Sequence, residues 1–298
     1  MSTVLSLNGI TKSYGPIQAL KDVSFEVPEG SVFGILGPNG SGKTTLLSII
    51  LDVLKANKGN FLWFGRPGSP DQRKKIGSLL ETPNFYHYLS AINNLRVTQS
   101  ISGRGTAADI DAVLKKVRLF ERRKSRFSTF SLGMKQRLAI ASSLLGDPQV
   151  LVLDEPTNGL DPVGIAEIRQ LILELRKSGH TIILASHLLD EVEKVCTHVA
   201  ILKTGTLLTT GDVEEVLMDE DVVELSAPDL ASLANVLRQI NDDVVMDGTS
   251  NTIHLRFPRG EARLDEINSF CFKNGIALNH LILKKKRLEA RFFELTNN

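Results

Sequence analysis

Gly37-Pro38-Asn39-Gly40-Ser41-Gly42-Lys43-Thr44 follows directly on a compact apolar run, Val32–Leu36, and leads into a stretch patterned as a helix, Thr44–Leu54. The string fits G-x-x-x-x-G-K-[ST], and a position between strand and helix is where such a loop works. Its glycines let main-chain N–H groups converge on phosphate oxygens with no Cβ in the way. The helix that follows adds the positive end of its dipole. Lys43 is expected to reach the β- and γ-phosphates, and the Thr44 hydroxyl to ligate Mg²⁺, with Thr45 next to it in the cradle. The loop thus points to an α/β fold that binds Mg-ATP.

About 110 residues further on, Val150-Leu151-Val152-Leu153-Asp154-Glu155 reads as a buried strand that delivers two adjacent carboxylates to its C-terminal end. Open α/β sheets bind their ligands at that end. Asp154 is expected to hold Mg²⁺, and Glu155 to orient and polarise an attacking water. A guanine-specific enzyme would need N-K-x-D, and the nearest string, Asn57-Lys58-Gly59-Asn60, lacks the aspartate. Small-molecule kinases of the same loop class lack a paired Asp-Glu so late in the chain.

Outward from these two strings, further short apolar runs suit buried parallel strands, Thr181–Ala185 among them. Pro162–Lys177 has a helical pattern closed by Ser178-Gly179. Ser24–Val27 and Asn60–Phe64 read as strands of an antiparallel side sheet. Residues 88–147 carry helical periodicity and little strand signal, with Met134, Leu138, Ala141 and Leu145 on one face. They read as a helical subdomain inserted in the core.

The pattern changes after residue 218, at Asp219-Glu220-Asp221. Strands are expected at Val222–Ser226, Val244–Asp247, Thr252–Phe257 and Ile276–Leu283. Helical stripes fall at Leu230–Leu237 and Leu264–Cys271. The order β-α-β-β-α-β predicts a small ferredoxin-like α+β domain over 219–298, after a nucleotide-binding domain over 1–218.

Composition restricts the function classes. The chain has 298 residues, 42% hydrophobic and 23% charged, with a net charge of +1. That balance gives no electrostatic case for a nucleic-acid partner. Cys196 and Cys271 have neither metal-ligand nor disulfide-framework spacing and read as buried small hydrophobes, which fits a reducing cytosol. No stretch approaches the ~18 apolar residues of a membrane span. Work at a membrane would go through a partner.

Phe130-Ser131-Leu132-Gly133-Met134-Lys135-Gln136-Arg137 resembles the LSGGQ signature of ATP-binding cassette (ABC) proteins, just before Asp154, where that family has it. Other elements agree. Tyr14 resembles the aromatic that stacks on adenine, Glu81 stands at the Q-loop glutamine, Asn158–Asp161 resembles the D-loop, and His187 resembles the switch histidine that contacts the γ-phosphate and the catalytic water. Leu20–Phe25 is typical of the family's first strands. The ordered set covers residues ~4–217. Ser131 can also cap a helix beginning near Leu132, whose N-terminus can face a phosphate. The resemblance implies two copies (or a copy and a similar ATPase subunit) sandwiching two ATPs, with Ser131 and Gly133 facing nucleotide held by the other chain.

Leu132 replaces a glycine of the usual signature, Met134 a glutamine, and Glu81 a glutamine. A carboxylate at 81 adds a full charge beside the metal, favouring Mg²⁺ and disfavouring approach to bare phosphate. This E-loop with S-L-G-M-K-Q looks like ATPases of lantibiotic and bacitracin self-protection exporters, of the ABC-2 class. Arg287–Thr296 resembles the closing segment of such ATPases, with Ala290-Arg291 for the usual acidic-apolar pair. The basic run Lys284–Arg287 reads as a solvated strand end, with lipid headgroups or a partner as the alternative.

The expected function is the ATP-hydrolysing subunit of an ABC-2 exporter, peripheral on the cytoplasmic face of the cell membrane, driving separate transmembrane permease subunits through the surface near Glu81–Tyr88. Two alternatives stay open: a soluble ABC ATPase acting on ribosomes or DNA, and a module that holds ATP without turnover. Against the first stand the absence of a second cassette and of a long coiled-coil insertion. Against the second stand Asp154, Glu155 and His187.

Overall fold

The computed structural model describes residues 2–80, 84–217, 220–241, 243–247, 250–258 and 260–284, together with Leu288 and Phe292. Glu81 and most of the Arg287–Thr296 segment lie outside the described residues. The chain forms two compact units, Met1–Val213 and Glu214–Asn298.

A six-stranded sheet organises the first unit, in the order Thr206–Asp212, His198–Lys203, Val32–Leu36, Thr181–Ser186, Val150–Asp154, Ile76–Leu79. All neighbouring pairs are parallel except the first, which is antiparallel. Val32–Leu36, Val150–Asp154 and Thr181–Ser186 are buried at every position, which explains their unbroken apolar runs. Leu36 pairs with Ser186, and Asp154 with Ala185. Their carboxyl ends therefore lie level, and the 37–44 loop, Glu155 and His187 leave the sheet from one edge.

A second, antiparallel sheet runs Ile17–Pro28, Thr3–Tyr14, Lys58–Trp63, Arg66–Pro67. The strand Ile17–Pro28 extends well beyond the expected Ser24–Val27. The strand Thr3–Tyr14 was not read from the sequence, because burial along it breaks strict alternation and its pairing slips in register. One core spans the side sheet, the main sheet and the helix Lys43–Ile50, and it holds Trp63, Phe33, Leu46, Leu47 and Ile50. Each such apolar side chain contributes about 1.5–3 kcal/mol on burial. Trp63 also donates from Nε1 to the Ile50 carbonyl at 2.8 Å, tying the side sheet to the end of that helix. The helix stops at Ile50 rather than Leu54 because Asp52 turns to φ 61°.

Between the strands Ile76–Leu79 and Val150–Asp154 lie the helices Ala91–Ser102, Ala107–Lys116 and Leu132–Ser143. Ser90, Thr106 and Ser131 cap them, Thr106 with Asp109 as a capping box. Leu138, Ala141 and Leu145 are buried as expected, but more of the third helix than that one face is covered. Gln136, Leu138, Ala139, Ile140, Ala141 and Ser143 are all buried, Met134 is half-buried, and Leu145 lies past the helix end. This helix is wrapped by its neighbours, so one stripe does not describe it.

The second unit has the strand order Val244–Asp247, Thr252–Pro258, Glu220–Ser226, His280–Lys284, all antiparallel, with helices Leu230–Leu237 and Leu264–Lys273. First and last strands are neighbours, which is the ferredoxin-like arrangement. Val223, Leu225, Ile253 and Leu255 meet Leu233, Leu237, Ile267 and Cys271 in its core. The last strand begins at His280, not Ile276. Residues 274–276 instead close the preceding helix: Gly275 takes φ 80° and Ile276 N–H donates to the Cys271 carbonyl at 2.9 Å. On the opposite sheet face the buried Glu224 carboxylate meets His254 Nε2 at 2.9 Å, His280 Nε2 at 3.0 Å and the Lys284 ammonium. Lys284 is thus held by a partner rather than simply solvated. Both cysteines are buried, and burial pushes the Cys196 thiol above its ordinary range.

Candidate nucleotide site

The 37–44 loop is as tight as its glycines permit. A Cβ on Gly37 would lie 2.3 Å from Ser41 Oγ and 2.4 Å from the Leu202 carbonyl oxygen, and one on Gly42 2.6 Å from the Ala19 carbonyl. Lys43 is buried, and its ammonium donates to the carbonyls of Gly37 at 2.8 Å and Pro38 at 3.3 Å. Ser41 Oγ is buried and has no hydrogen-bond partner among the described residues. A buried hydroxyl without a partner costs about 1–3 kcal/mol, and a phosphate oxygen in the loop would meet that need. Ala19, Asn39, Gly40, Gly42, Lys43, Thr44, Thr45 and Glu155 line a cleft of about 240 Å³.

The strand ends bring the chemistry to this cleft. Thr44 Oγ1 donates to Asp154 Oδ2 at 2.8 Å. A hydroxyl and a carboxylate converging at the foot of a phosphate loop are the oxygen donors that Mg²⁺ accepts. Glu155 follows at φ 48°, a left-handed conformation uncommon for glutamate, held by its N–H donating to the Ala185 carbonyl at 3.0 Å. Its Oε1 is 3.7 Å from Lys43 Nζ and its Oε2 is 2.9 Å from His187 Nδ1. Lys43, Glu155 and His187 therefore form one chain of contacts. A carboxylate held between an ammonium and an imidazole is fixed in direction, as a base acting on water must be.

The other sequence candidates sit elsewhere. Tyr14 is 46% exposed at the end of its strand, with the Lys12 ammonium 5.4 Å from its ring centre. Ser131 is exposed and accepts from the Met134 N–H at 3.3 Å as the N-cap of Leu132–Ser143, with Gly133 in the first turn. Neither Ser131 nor Gly133 lines the cleft that holds Lys43.

Sequence reasoning missed Asn94. It is buried, its Oδ1 accepts from the Tyr86 N–H at 2.8 Å, and its Nδ2 donates to the carbonyls of Tyr86, Leu89 and Ser90. It fixes the loop that carries the exposed rings of Tyr86 and Tyr88, 5.8 Å apart. The available signal was an amide at a core-facing position of AINNLRV.

The profile of the family described as "ABC transporter" matches residues 20–158. The Bacillus licheniformis protein called bacitracin transport ATP-binding protein BcrA is 35% identical, covering 99% of this chain and 98% of that one. The chain belongs to the ABC transporter ATP-binding proteins. The lantibiotic transport ATP-binding protein SrtF of Streptococcus pyogenes is 40% identical, over 69% of this chain and 89% of its own. Among solved structures, cbiO1 of Clostridium perfringens, part of the transporter complex cbiONQ, superposes with TM-score 0.66 at 30% identity. The match covers 72% of this chain and 91% of that one. The dimeric post-hydrolysis cassette MJ0796, with ADP and Pi, gives TM-score 0.61 at 27% identity, over 70% and 98% of the two chains. As an ABC ATPase, this chain binds ATP and hydrolyses it to drive transport. Among the described residues, no helix is long and apolar enough to cross a membrane.

Proposed function

We propose that this chain is the ATPase subunit of an ABC-2 type exporter, working on the cytoplasmic face of the cell membrane beside a separate permease. The observation that carries the reading is the convergence at one sheet edge of Thr44 on Asp154, and of Lys43 and His187 on Glu155. On this reading the loop Gly37–Thr44, with Thr45, cradles the phosphates and Tyr14 stacks on the adenine. Thr44 and Asp154, with Glu81, hold Mg²⁺, which neutralises phosphate charge. Glu155 takes a proton from the attacking water, and His187 orients Glu155 and meets the γ-phosphate. Ser131 and Gly133, away from the cleft of their own chain, face the nucleotide of a second copy. Similarity to BcrA along nearly the whole chain, second unit included, supports antibiotic or peptide export as the task. The exposed Tyr86–Tyr88 surface is the face offered to the permease, and the unit that follows Val213 is an accessory domain.

Glu155→Gln tests the core of this proposal. General-base loss lowers turnover by about 10²–10⁴, and the variant runs as a dimer on sizing chromatography with Mg-ATP. A monomer under those conditions rejects the sandwich. Glu81→Gln is expected to bind nucleotide and to alter Mg²⁺ dependence; an unchanged dependence removes the special role of the carboxylate. Expression with its neighbouring permease is expected to raise the bacitracin or lantibiotic resistance of a sensitive host, and unchanged resistance removes the substrate assignment.

A further inference from the structure

Arg104 sits in the link Gly103-Arg104-Gly105 between two helices of the inserted subdomain, with both glycines at positive φ. Its side chain turns inward and forks. Nε and Nη2 donate to the Leu145 carbonyl at 3.1 and 2.8 Å, Nη2 also to the Ser143 carbonyl at 3.0 Å, and Nη1 to the Ile76 carbonyl at 2.8 Å. All four contacts are to main-chain oxygens. Ser143 and Leu145 stand at the C-terminal end of the helix Leu132–Ser143, where carbonyls lack intrahelical partners and the dipole is negative. Ile76 opens the strand Ile76–Leu79, which leads to residue 81.

Near the guanidinium the backbones approach closely at two glycines. A Cβ on Gly77 would lie 2.0 Å from the Ser143 carbonyl oxygen, and one on Gly105 3.0 Å from the Gly146 nitrogen. Strand, helix end and link are therefore locked at a single joint, and Arg104 supplies its polar bonds. Partial burial lowers the Arg104 pKa, yet guanidinium remains charged at any working pH.

We propose that Arg104 is a positioning residue for ATP hydrolysis. It fixes the base of the helix whose other end carries Ser131 and Gly133, and ties that base to the strand Ile76–Leu79, which precedes residue 81 in the chain. The helix spans 12 residues, roughly 18 Å, so a 10° tilt at the joint carries its N-terminus roughly 3 Å. Misplacement by about 1 Å can cost 10²-fold in rate. The inference rests on the proposed role of Ser131 toward a second copy.

The test compares Arg104→Lys and Arg104→Ala with the unaltered full chain. Lysine keeps the charge but cannot bond three carbonyls in a planar fork. Expected are an ATP dissociation constant within twofold of the parent, kcat lowered at least tenfold by alanine and less by lysine, and partial recovery of the alanine variant in millimolar ethylguanidinium. In a Glu155→Gln background, Arg104→Ala shifts Mg-ATP-dependent dimerisation to at least tenfold higher protein concentration. A kcat within twofold of the parent in folded Arg104→Ala overturns the proposal, as does a loss that only tracks the unfolded fraction. Should the alanine variant fail to fold, unaltered kcat and dimerisation in Arg104→Lys overturn it equally. Ser131→Arg separates the two levels: if it leaves turnover and dimerisation intact, the sandwich itself fails. If it abolishes both while Arg104 variants behave as the parent, only the present inference falls.

Discussion

Thr44 and Asp154 are 110 positions apart and share one hydrogen bond. Thr44→Val keeps the shape and removes the hydroxyl that donates to the carboxylate and is proposed to meet the metal. The expected result is a loss of about 1–3 kcal/mol in stability and a higher Mg²⁺ concentration for half-maximal turnover, read by thermal melting and a Mg²⁺ titration. Glu224 makes the residue-scale case in the second unit. The Lys284 ammonium foremost, then His254 and His280, hold its pKa at about 2, against an ordinary 4.5, with burial opposing them. Folding therefore favours the ionised carboxylate. The stabilisation is full above about pH 4.5 and is lost as pH falls toward 2. Glu224→Gln should melt earlier at pH 7 and show a flatter acid limb, with parent and variant converging near pH 2 in circular dichroism.

At the scale of elements, caps and clamps decide what stays in place. Ser131→Ala removes the N-cap of the helix Leu132–Ser143, about 1 kcal/mol, and should leave ATP binding by the monomer unchanged while weakening Mg-ATP-dependent dimerisation. Asn94→Leu strands the Tyr86 N–H and carbonyl and should cost about 2 kcal/mol in urea unfolding. The strands that end at the site were legible because burial on both faces leaves an unbroken apolar run before a glycine or an acidic pair, as at Val32–Leu36 and Val150–Asp154. Pro162–Lys177 was legible from its helical pattern and the closing Ser178-Gly179, and the structure adds Asp161 as its N-cap. The P-loop helix was read too long because its stop is a φ value at Asp52, which residue type does not announce. The strand at 276 was read too early because an apolar Ile276 that closes a helix looks like one that opens a strand. Neither Asn94 nor Arg104 stood out, since both bond to main-chain atoms, which residue type does not announce.

At the scale of the whole chain, each unit has a core of its own. The nucleotide cleft belongs to the first. Mg-ATP at a hundredfold excess over its dissociation constant should stabilise that unit by about 2.7 kcal/mol, a shift of roughly 5–11 °C for a unit of this size. Unfolding of the second unit should stay where it was in a calorimetric scan. A uniform shift of both would mean that the two unfold as one. The acid limb set by Glu224 should likewise fall on the second unit alone.

The single tryptophan of the chain, Trp63, is 1% exposed and hydrogen-bonded to the last residue of the helix that begins at Lys43. Ultraviolet emission excited at the red edge of protein absorption therefore originates at one spot, in an apolar, rigid setting, and should be blue-shifted in the native chain. Loosening of the nucleotide-binding unit should redden and weaken that emission, while events in the second unit leave it unchanged. The chain thus carries its own label, which can follow the first unit without any dye or tag.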